Sequence, residues 1–258
     1  MSILLKPVRV LYVIYALLLW LAIMFLILPP IILASLLGRI RGGNITFYFL
    51  RLWADLWFPM VGIWVRKIRE DNNEKGTFLY VVNHRSYLDA AIAVKVMGLP
   101  FRPLGKIEMK KIPFFGFIYR QSVVLVDRAS TAGRAASVRE MMTMVRKGIS
   151  ILIFPEGTTN ETNQLLTPFH NGAFRIAIET QTPLKPVLYL DSGIRFSHKR
   201  MLDLSPGRCR VLFLPSIPVA GLTMEDLPAL KQRVFSVMHA ALKEHSEYPD
   251  VPVKQQAI

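Results

Sequence analysis

The stretch "VVNHRSYLD", residues 81–89, places His84 and Asp89 five positions apart, directly after an apolar run. Histidine exchanges a proton near neutral pH, and a carboxylate at its other ring nitrogen fixes the tautomer and stabilises the imidazolium. The chemistry available to such a pair is general-base catalysis. Residues five apart on a continuous helix lie roughly 140° from each other, because each residue turns the helix by about 100°. A contact therefore calls for a strand ending at Asn83, a turn carrying His84, and a helix whose first turns carry Asp89. A second stretch, "FPEGTTN" at 154–160, puts Glu156 and Gly157 in a tight turn after the apolar "ISILI". Backbone N–H groups and side chains in such a turn can hold a polar head group. Taken alone, the His–Asp pair fits a capped helix start as well as it fits a catalytic base.

These two turns need elements to carry them. "TFLYVVN" reads as a buried strand and "SYLDAAIAVKVMG" as a helix closed by Gly98. "QSVVLVDR" is strand-like, and "TAGRAASVREMMTMVRKG" is a helix with its stop glycine at Gly148. "ISILIFPEG" is a further buried strand and "GAFRIAIETQ" a short helix. "PLKPVLYL" and "RCRVLFL" supply more strands, and "TMEDLPALKQRVFSVMHAALKE" a last amphipathic helix. Alternation of this kind predicts a layered α/β domain. Ligands of such sheets gather at the carboxyl ends of the strands, where both turns would lie. No internal repeat is present.

The 258 residues carry 32 Lys+Arg against 18 Asp+Glu, a net charge of +14, with 52% hydrophobic residues and a mean hydropathy of +0.34. That excess favours anionic partners, and the hydropathy predicts contact with lipid. No charge occurs between Arg9 and Arg39, and residues 10–28 are 19 apolar or aromatic residues. As a helix they rise about 28 Å, close to the ~30 Å of a hydrocarbon core. Pro29-Pro30 is expected to end that helix. "IILASLLG" is then too short to cross again. Basic residues at both ends (Lys6 and Arg9, Arg39 and Arg41) leave the orientation open. In "FYFLRLWADLWFPMVGIWV", Trp53, Trp57 and Trp64 predict an interfacial helix, with a core helix as the alternative, and Arg51 is one turn from Asp55. The expected layout is a membrane-anchoring helical segment over 1–64, an α/β domain over 65–246 and a loose tail over 247–258. The single cysteine, Cys209, excludes an internal disulfide and reads as a buried thiol.

The two turns together are more specific than either alone. "NHRSYLD" resembles the N-H-x-S-x-x-D block of the glycerolipid acyltransferases, the lysophosphatidic acid acyltransferase group. "IPFFGFIYRQSVVLVDR" is similar to that family's second block, ending at Val126, Asp127 and Arg128. "FPEGTTN" and "FHNGAF" match the F-P-E-G-T-R and F-x-x-G-A-F pattern, and "TPLKPV" is a loose version of the fourth block. All four occur in family order over roughly residues 77–190. The resemblance implies a layered acyltransferase fold, a mostly parallel mixed sheet flanked by helices, preceded by N-terminal membrane-embedded helices. It implies transfer of a fatty acyl group from acyl-CoA or acyl carrier protein to the hydroxyl of a lysophospholipid, foremost 1-acyl-sn-glycerol-3-phosphate, at the cytoplasmic face of the inner or plasma membrane. His84 would be the general base and Asp89 its partner. Lys106 and Arg128 would hold the acceptor phosphate, with Glu156 and Gly157 shaping that site. Asn83, Ser86, Thr158 and Thr159 would join the substrate-binding residues. No metal or bound cofactor is implied.

One position departs from the pattern. Where the family most often has arginine, this chain has Thr159, which cannot grip a phosphate bidentately. Relatives acylating lysophosphatidylcholine or lyso-ornithine lipid resemble this variant, so those acceptors are the alternative. Other classes fit less well. His84, Asp89 and Glu156 lack a metal-site spacing such as H-E-x-x-H. Ser86 as a hydrolase nucleophile lacks G-x-S-x-G. A nucleic-acid module leaves the apolar segment unexplained, and a basic membrane-surface protein leaves the strand-end motifs without a role. "GKIEMKKIPFFGFIYR", basic with interleaved aromatics, could lie on anionic lipid, contact an acyl chain, or turn its aromatics into the core. His170, His198, His239 and His245 read as ordinary.

Overall fold

A computed structural model describes residues 5–71, 73–197 and 202–247. Seven strands form one sheet in the order β1-β7-β6-β2-β5-β3-β4. The strands are β1 (Ile63–Arg69), β2 (Leu79–Val82), β3 (Phe101–Lys106), β4 (Val124–Val126), β5 (Ser150–Ile153), β6 (Leu184–Tyr189) and β7 (Gly207–Phe213). All pairings are parallel except β6 with β7, so β6, β2, β5, β3 and β4 point one way and β7 and β1 the other. This is the expected α/β architecture with a mostly parallel mixed sheet. Central parallel strands are covered on both faces and so read as continuous apolar runs. β5, "SILI", is buried at every position.

Alternate residues of those runs feed two cores. Leu79, Val81, Ile151, Ile153, Leu184 and Leu188 face α5 (Thr131–Arg146), α6 (Gly172–Thr180) and α8 (Leu227–His245). Val82, Leu152, Val187 and Tyr189 face the opposite layer of α1 (Leu5–Ser35), α2 (Gly38–Met60), α3 (Asp89–Val96) and α4 (Phe115–Ser122). Cys209 is buried in this second core, and burial pushes its thiol up to about 12.

The N-terminal region differs from its sequence reading. Pro29 and Pro30 lie inside α1, which continues to Ser35. Proline removes a helical donor and crowds the preceding turn. Here buried contacts on both sides of the pair, Ile23, Met24 and Ile27 before it, Ile31 and Ala34 after it, hold the chain helical against α2. Close approach is built in at Gly42, where a Cβ would collide with the Ala34 carbonyl oxygen. Among the described residues α1 is the one helix long and apolar enough to cross a membrane. The tryptophan-rich stretch is not a single helix. α2 ends at Met60 and Trp64 stands 63% exposed on β1, while Trp53 and Trp57 are buried. Trp57 Nε1 donates to the Ala16 carbonyl at 2.9 Å, tying the two long helices together.

A second anchor sits at the other end of α2. Arg102, on β3 and 1% exposed, donates from Nη2 to the carbonyls of Arg39 and Ile40 and to Asn44 Oδ1. Burial, with Arg39 nearby, lowers this guanidinium to about 10. His245 on α8 contacts Glu70, and Glu247 contacts Arg210. His198 and the tail beyond Glu247 fall outside the described residues.

Candidate active site

β2, β5, β3 and β4 run parallel, so their following turns line one edge of the sheet. His84 follows β2 by two residues and Asp89 is the first residue of α3, the placement a turn-mediated contact requires. His84 Nδ1 lies 2.7 Å from Asp89 Oδ2. The same oxygen accepts the backbone N–H groups of Arg85 at 2.8 Å and Ser86 at 2.9 Å. Asp89 is fully buried, while the His84 side chain keeps 24% exposure. Phe154 stacks on the imidazole, 4.2 Å between centroids. The ring is thus held at one edge by a carboxylate and on one face by an aromatic, leaving Nε2 as the nitrogen turned away from Asp89.

The turn after β5 is fastened to this one. Glu156 Oε1 accepts the His84 N–H at 3.0 Å, and Oε2 accepts the N–H and hydroxyl of Thr167 at 2.9 and 2.8 Å. Burial raises the Glu156 carboxyl above its ordinary range, and these hydrogen bonds oppose it. Asn160 N–H donates to the His84 carbonyl at 2.7 Å. Arg85 donates to the carbonyls of Gln164 and Thr162. Gly157 has φ +73°, and a Cβ there would lie 2.6 Å from His170 Cδ2, so both backbone and space call for glycine. Arg128 donates to the Gly157 carbonyl at 2.6 Å.

The remaining sequence-derived residues divide into two groups. Lys106 closes β3, in register with Val126 and exposed, on the same edge as Arg128. Thr158 is exposed, and Thr159 Oγ1 lies 3.2 Å from His84 Nε2. Asn83 and Ser86 are instead bound into the scaffold. The Asn83 amide exchanges two hydrogen bonds with the Tyr189 backbone, 3.1 and 2.7 Å. Ser86 Oγ donates to the Phe196 carbonyl and accepts from Leu88 N–H, with no exposure. Sequence reasoning passed over Arg85, Phe154 and Asn160, which stand inside the two motifs. Their partners lie some 70 residues away, and the motif letters alone do not name them. No group of three His, Cys, Asp or Glu residues placed to hold a metal ion occurs among the described residues.

Beyond Lys106, a 3-10 turn (Ile107–Lys111) leads to α4, and "GKIEMKKIPFFGFIYR" lays its aromatics against α1 with Phe114 itself left exposed. Phe114 packs on Phe25, and Phe115 on Trp20, both of α1. Between them lies an apolar cavity of about 300 Å³ lined by Trp20, Met24, Phe25, Met109, Phe114 and Ile118 among others.

A family model described as Acyltransferase matches residues 65–190, a span holding the turns after β2, β3, β4 and β5. The 1-acyl-sn-glycerol-3-phosphate acyltransferase alpha of Mus musculus is 31% identical over 220 residues, covering 83% of this chain and 76% of the mouse protein. The chain belongs to the acyltransferase family. The 1-acyl-sn-glycerol-3-phosphate acyltransferase of Escherichia coli is 30% identical over 189 residues, 72% of this chain and 76% of that protein. The alpha enzyme of Homo sapiens is 32% identical over 171 residues, of whose length this chain spans 60%. The crystal structure of the lysophosphatidic acid acyltransferase PlsC from Thermotoga maritima shares the fold, with a TM-score of 0.73 over 95% of this chain and 97% of that one, at 20% identity. Membership makes this chain an enzyme of the O-acyltransferase class.

Proposed function

We propose that the chain moves a fatty acyl group from a thioester, acyl-CoA or acyl carrier protein, to the free hydroxyl of a lysophospholipid, with 1-acyl-sn-glycerol-3-phosphate as the main acceptor. The observation that carries this reading is the 2.7 Å contact of His84 Nδ1 with buried Asp89, which leaves Nε2 to face Thr159 in the turn whose Gly157 carbonyl Arg128 holds. His84 Nε2 takes the proton of the acceptor hydroxyl as its oxygen attacks the thioester carbonyl. The tetrahedral intermediate collapses, the carbon–sulfur bond breaks, and the proton passes from Nε2 to the leaving thiolate. A thioester is already activated, so a positioned base is sufficient, and such a base contributes about 10²–10⁴-fold, or about 3–5 kcal/mol. Lys106 and Arg128 supply cations on the edge where the acceptor phosphate would sit.

α1 is read as the membrane anchor, with the catalytic edge at the cytoplasmic face, and the apolar cavity beside α1 as space for an acyl chain. Thr159 supports a second reading on the head group. Its hydroxyl is turned to His84 rather than toward Arg128, so the phosphate is left to two cations, and lysolipids with larger or zwitterionic heads, such as lyso-ornithine lipid or lysophosphatidylcholine, can compete. The test offers membranes holding the full-length protein labelled acyl-CoA and a panel of lysolipids, with products identified by mass. The expected product is phosphatidic acid, and His84→Ala lowers its formation by at least ~100-fold at equal protein level. Transfer to an amino-acid lysolipid with none to lysophosphatidic acid would select the second reading. Near-normal turnover in His84→Ala would remove the base assignment.

A further inference from the structure

Among the described residues, Thr159 Oγ1 is the hydrogen-bonding neighbour of His84 Nε2, at 3.2 Å. The roles in that contact follow from the other side of the ring. Asp89 Oδ2 is buried and already accepts two backbone N–H groups, so Nδ1 donates its hydrogen to that carboxylate. Nε2 of the neutral imidazole then has only a lone pair to offer, and the Thr159 hydroxyl must be the donor. The resting base is therefore not bare. It is capped by a hydroxyl of the kind it has to deprotonate.

The cap is held in place. Asn160 N–H bonds to the His84 carbonyl, and the Asn160 side chain bonds to the Gln164 carbonyl, so the residue after Thr159 cannot drift from the imidazole. Phe154 closes one face of the ring. A single in-plane lone pair accommodates one strong donor, so any hydroxyl to be activated has to displace the threonine's.

We infer that Thr159 acts as a displaceable stand-in for the acceptor hydroxyl at His84 Nε2, a positioning residue that favours acyl transfer over thioester hydrolysis. This rests on the base assignment proposed above for His84. The discrimination has a simple physical origin. Water meeting the site exchanges one hydroxyl donor for another and gains no other contact. A lysolipid makes the same exchange while its head group and chain bind elsewhere, and that binding drives the displacement. In hydrolysis, water would give its proton to Nε2, its oxygen would attack the thioester carbonyl, and the thiolate would leave with that proton, yielding free fatty acid and the thiol.

The experiment takes the ratio of free fatty acid formed from palmitoyl-CoA without acceptor to phosphatidic acid formed at saturating lysophosphatidic acid, where acceptor binding has already displaced the threonine, with full-length protein in membranes. Thr159→Val keeps the shape and removes the donor, and should raise that ratio roughly 2- to 12-fold, the weight of one neutral hydrogen bond. Thr159→Ser keeps the donor and should stay within about twofold of the parent, since it retains that bond. Thr159→Ala is read beside Val so that poor folding of one variant does not decide the result. An unchanged ratio in both Val and Ala, or a Ser variant that behaves like Val, overturns the inference. So does an acyl group found covalently on Thr159 of the parent protein, with both activities lost in Val, since the residue is then a nucleophile. His84→Ala separates the two levels. If it retains both transfer and hydrolysis the base assignment itself fails, whatever the Thr159 variants do.

Discussion

Replacing Asp89 by asparagine isolates what the buried carboxylate does for His84. The side chain keeps its shape, and an amide oxygen can still accept from the Arg85 and Ser86 backbone, now 2.8 and 2.9 Å from Oδ2. The negative charge is lost. With neutral imidazole that costs little, because Nδ1–H can still donate to an amide oxygen. If His84 takes the acceptor's proton, as proposed, the 2.7 Å contact becomes an ion pair. At an effective dielectric of ~20 two unit charges at that separation attract by about 6 kcal/mol. The two backbone donors share the oxygen's charge, and a neutral hydrogen bond of about 1 kcal/mol survives in the variant. The net loss should be about 3–5 kcal/mol in the transition state, or 10²–10⁴ in kcat. KM should change little, since Asp89 has no exposed surface to offer a substrate. Steady-state rates on lysophosphatidic acid, with the thermal midpoint of each variant, give the readout. Asp89→Ala is the companion. It leaves the Arg85 and Ser86 N–H groups without an acceptor, at about 1–3 kcal/mol each, whereas asparagine adds one unpartnered buried NH₂ at the Oδ1 position, so the midpoint of Ala should fall further than that of Asn. A rate for Asp89→Asn within tenfold of the parent would refute the reasoning, as would equal losses of stability in both variants.

Glu156→Gln should cost about 1–3 kcal/mol of stability and lower kcat, because an NH₂ group must face either His84 N–H or the Thr167 donors; differential scanning and initial rates check both. Asp71 carries a pH dependence. Burial pushes its carboxyl up, but Lys185 at 2.7 Å, the Asn73 N–H and Arg69 outweigh it and hold it below the ordinary range. Its contribution is thus full above the ordinary aspartate value of about 4 and is lost as pH falls through the lowered one. Lys185 keeps Glu74 at 2.9 Å as a second partner, so Asp71→Asn should then be destabilised near neutral pH by about 1–3 kcal/mol, and the gap to the parent should close in strongly acidic buffer; a gap independent of pH would show that the carboxylate is not the source.

The central strands and the His–Asp contact were legible because each is local. β2 and β5 are unbroken apolar runs, and His84 and Asp89 are joined by a turn of five residues within one motif. β1 was hidden because "IWVRKIR" places three cations on an edge strand and follows a tryptophan-rich helix whose pattern dominates it. β3 was hidden by Pro103 and Gly105, which weaken a strand reading, and by Arg102, whose burial depends on carbonyls of α2 some 60 residues earlier. Pro29-Pro30 misled for the same reason: the packing that keeps α1 helical lies on another element. In the site, the bracing of the His84 turn by Glu156 and Asn160, the use of Asn83 by Tyr189 and of Nε2 by Thr159 arise where distant segments meet, and residue type does not announce them.

The fastening of the two turns has a consequence for anyone wishing to redirect the enzyme. Glu156, Asn160, Thr162 and Gln164 each bond to His84 or Arg85, so residues 83–86 and 154–167 behave as a single cassette split between two places in the chain. Transplanting the second segment alone, to import another acceptor preference, would cut the backbone supports of His84. A graft that carries both halves together keeps every one of those bonds internal to the transplanted unit. The boundary of a functional swap in this chain is therefore drawn by hydrogen bonds across the sheet edge and not by contiguity in sequence.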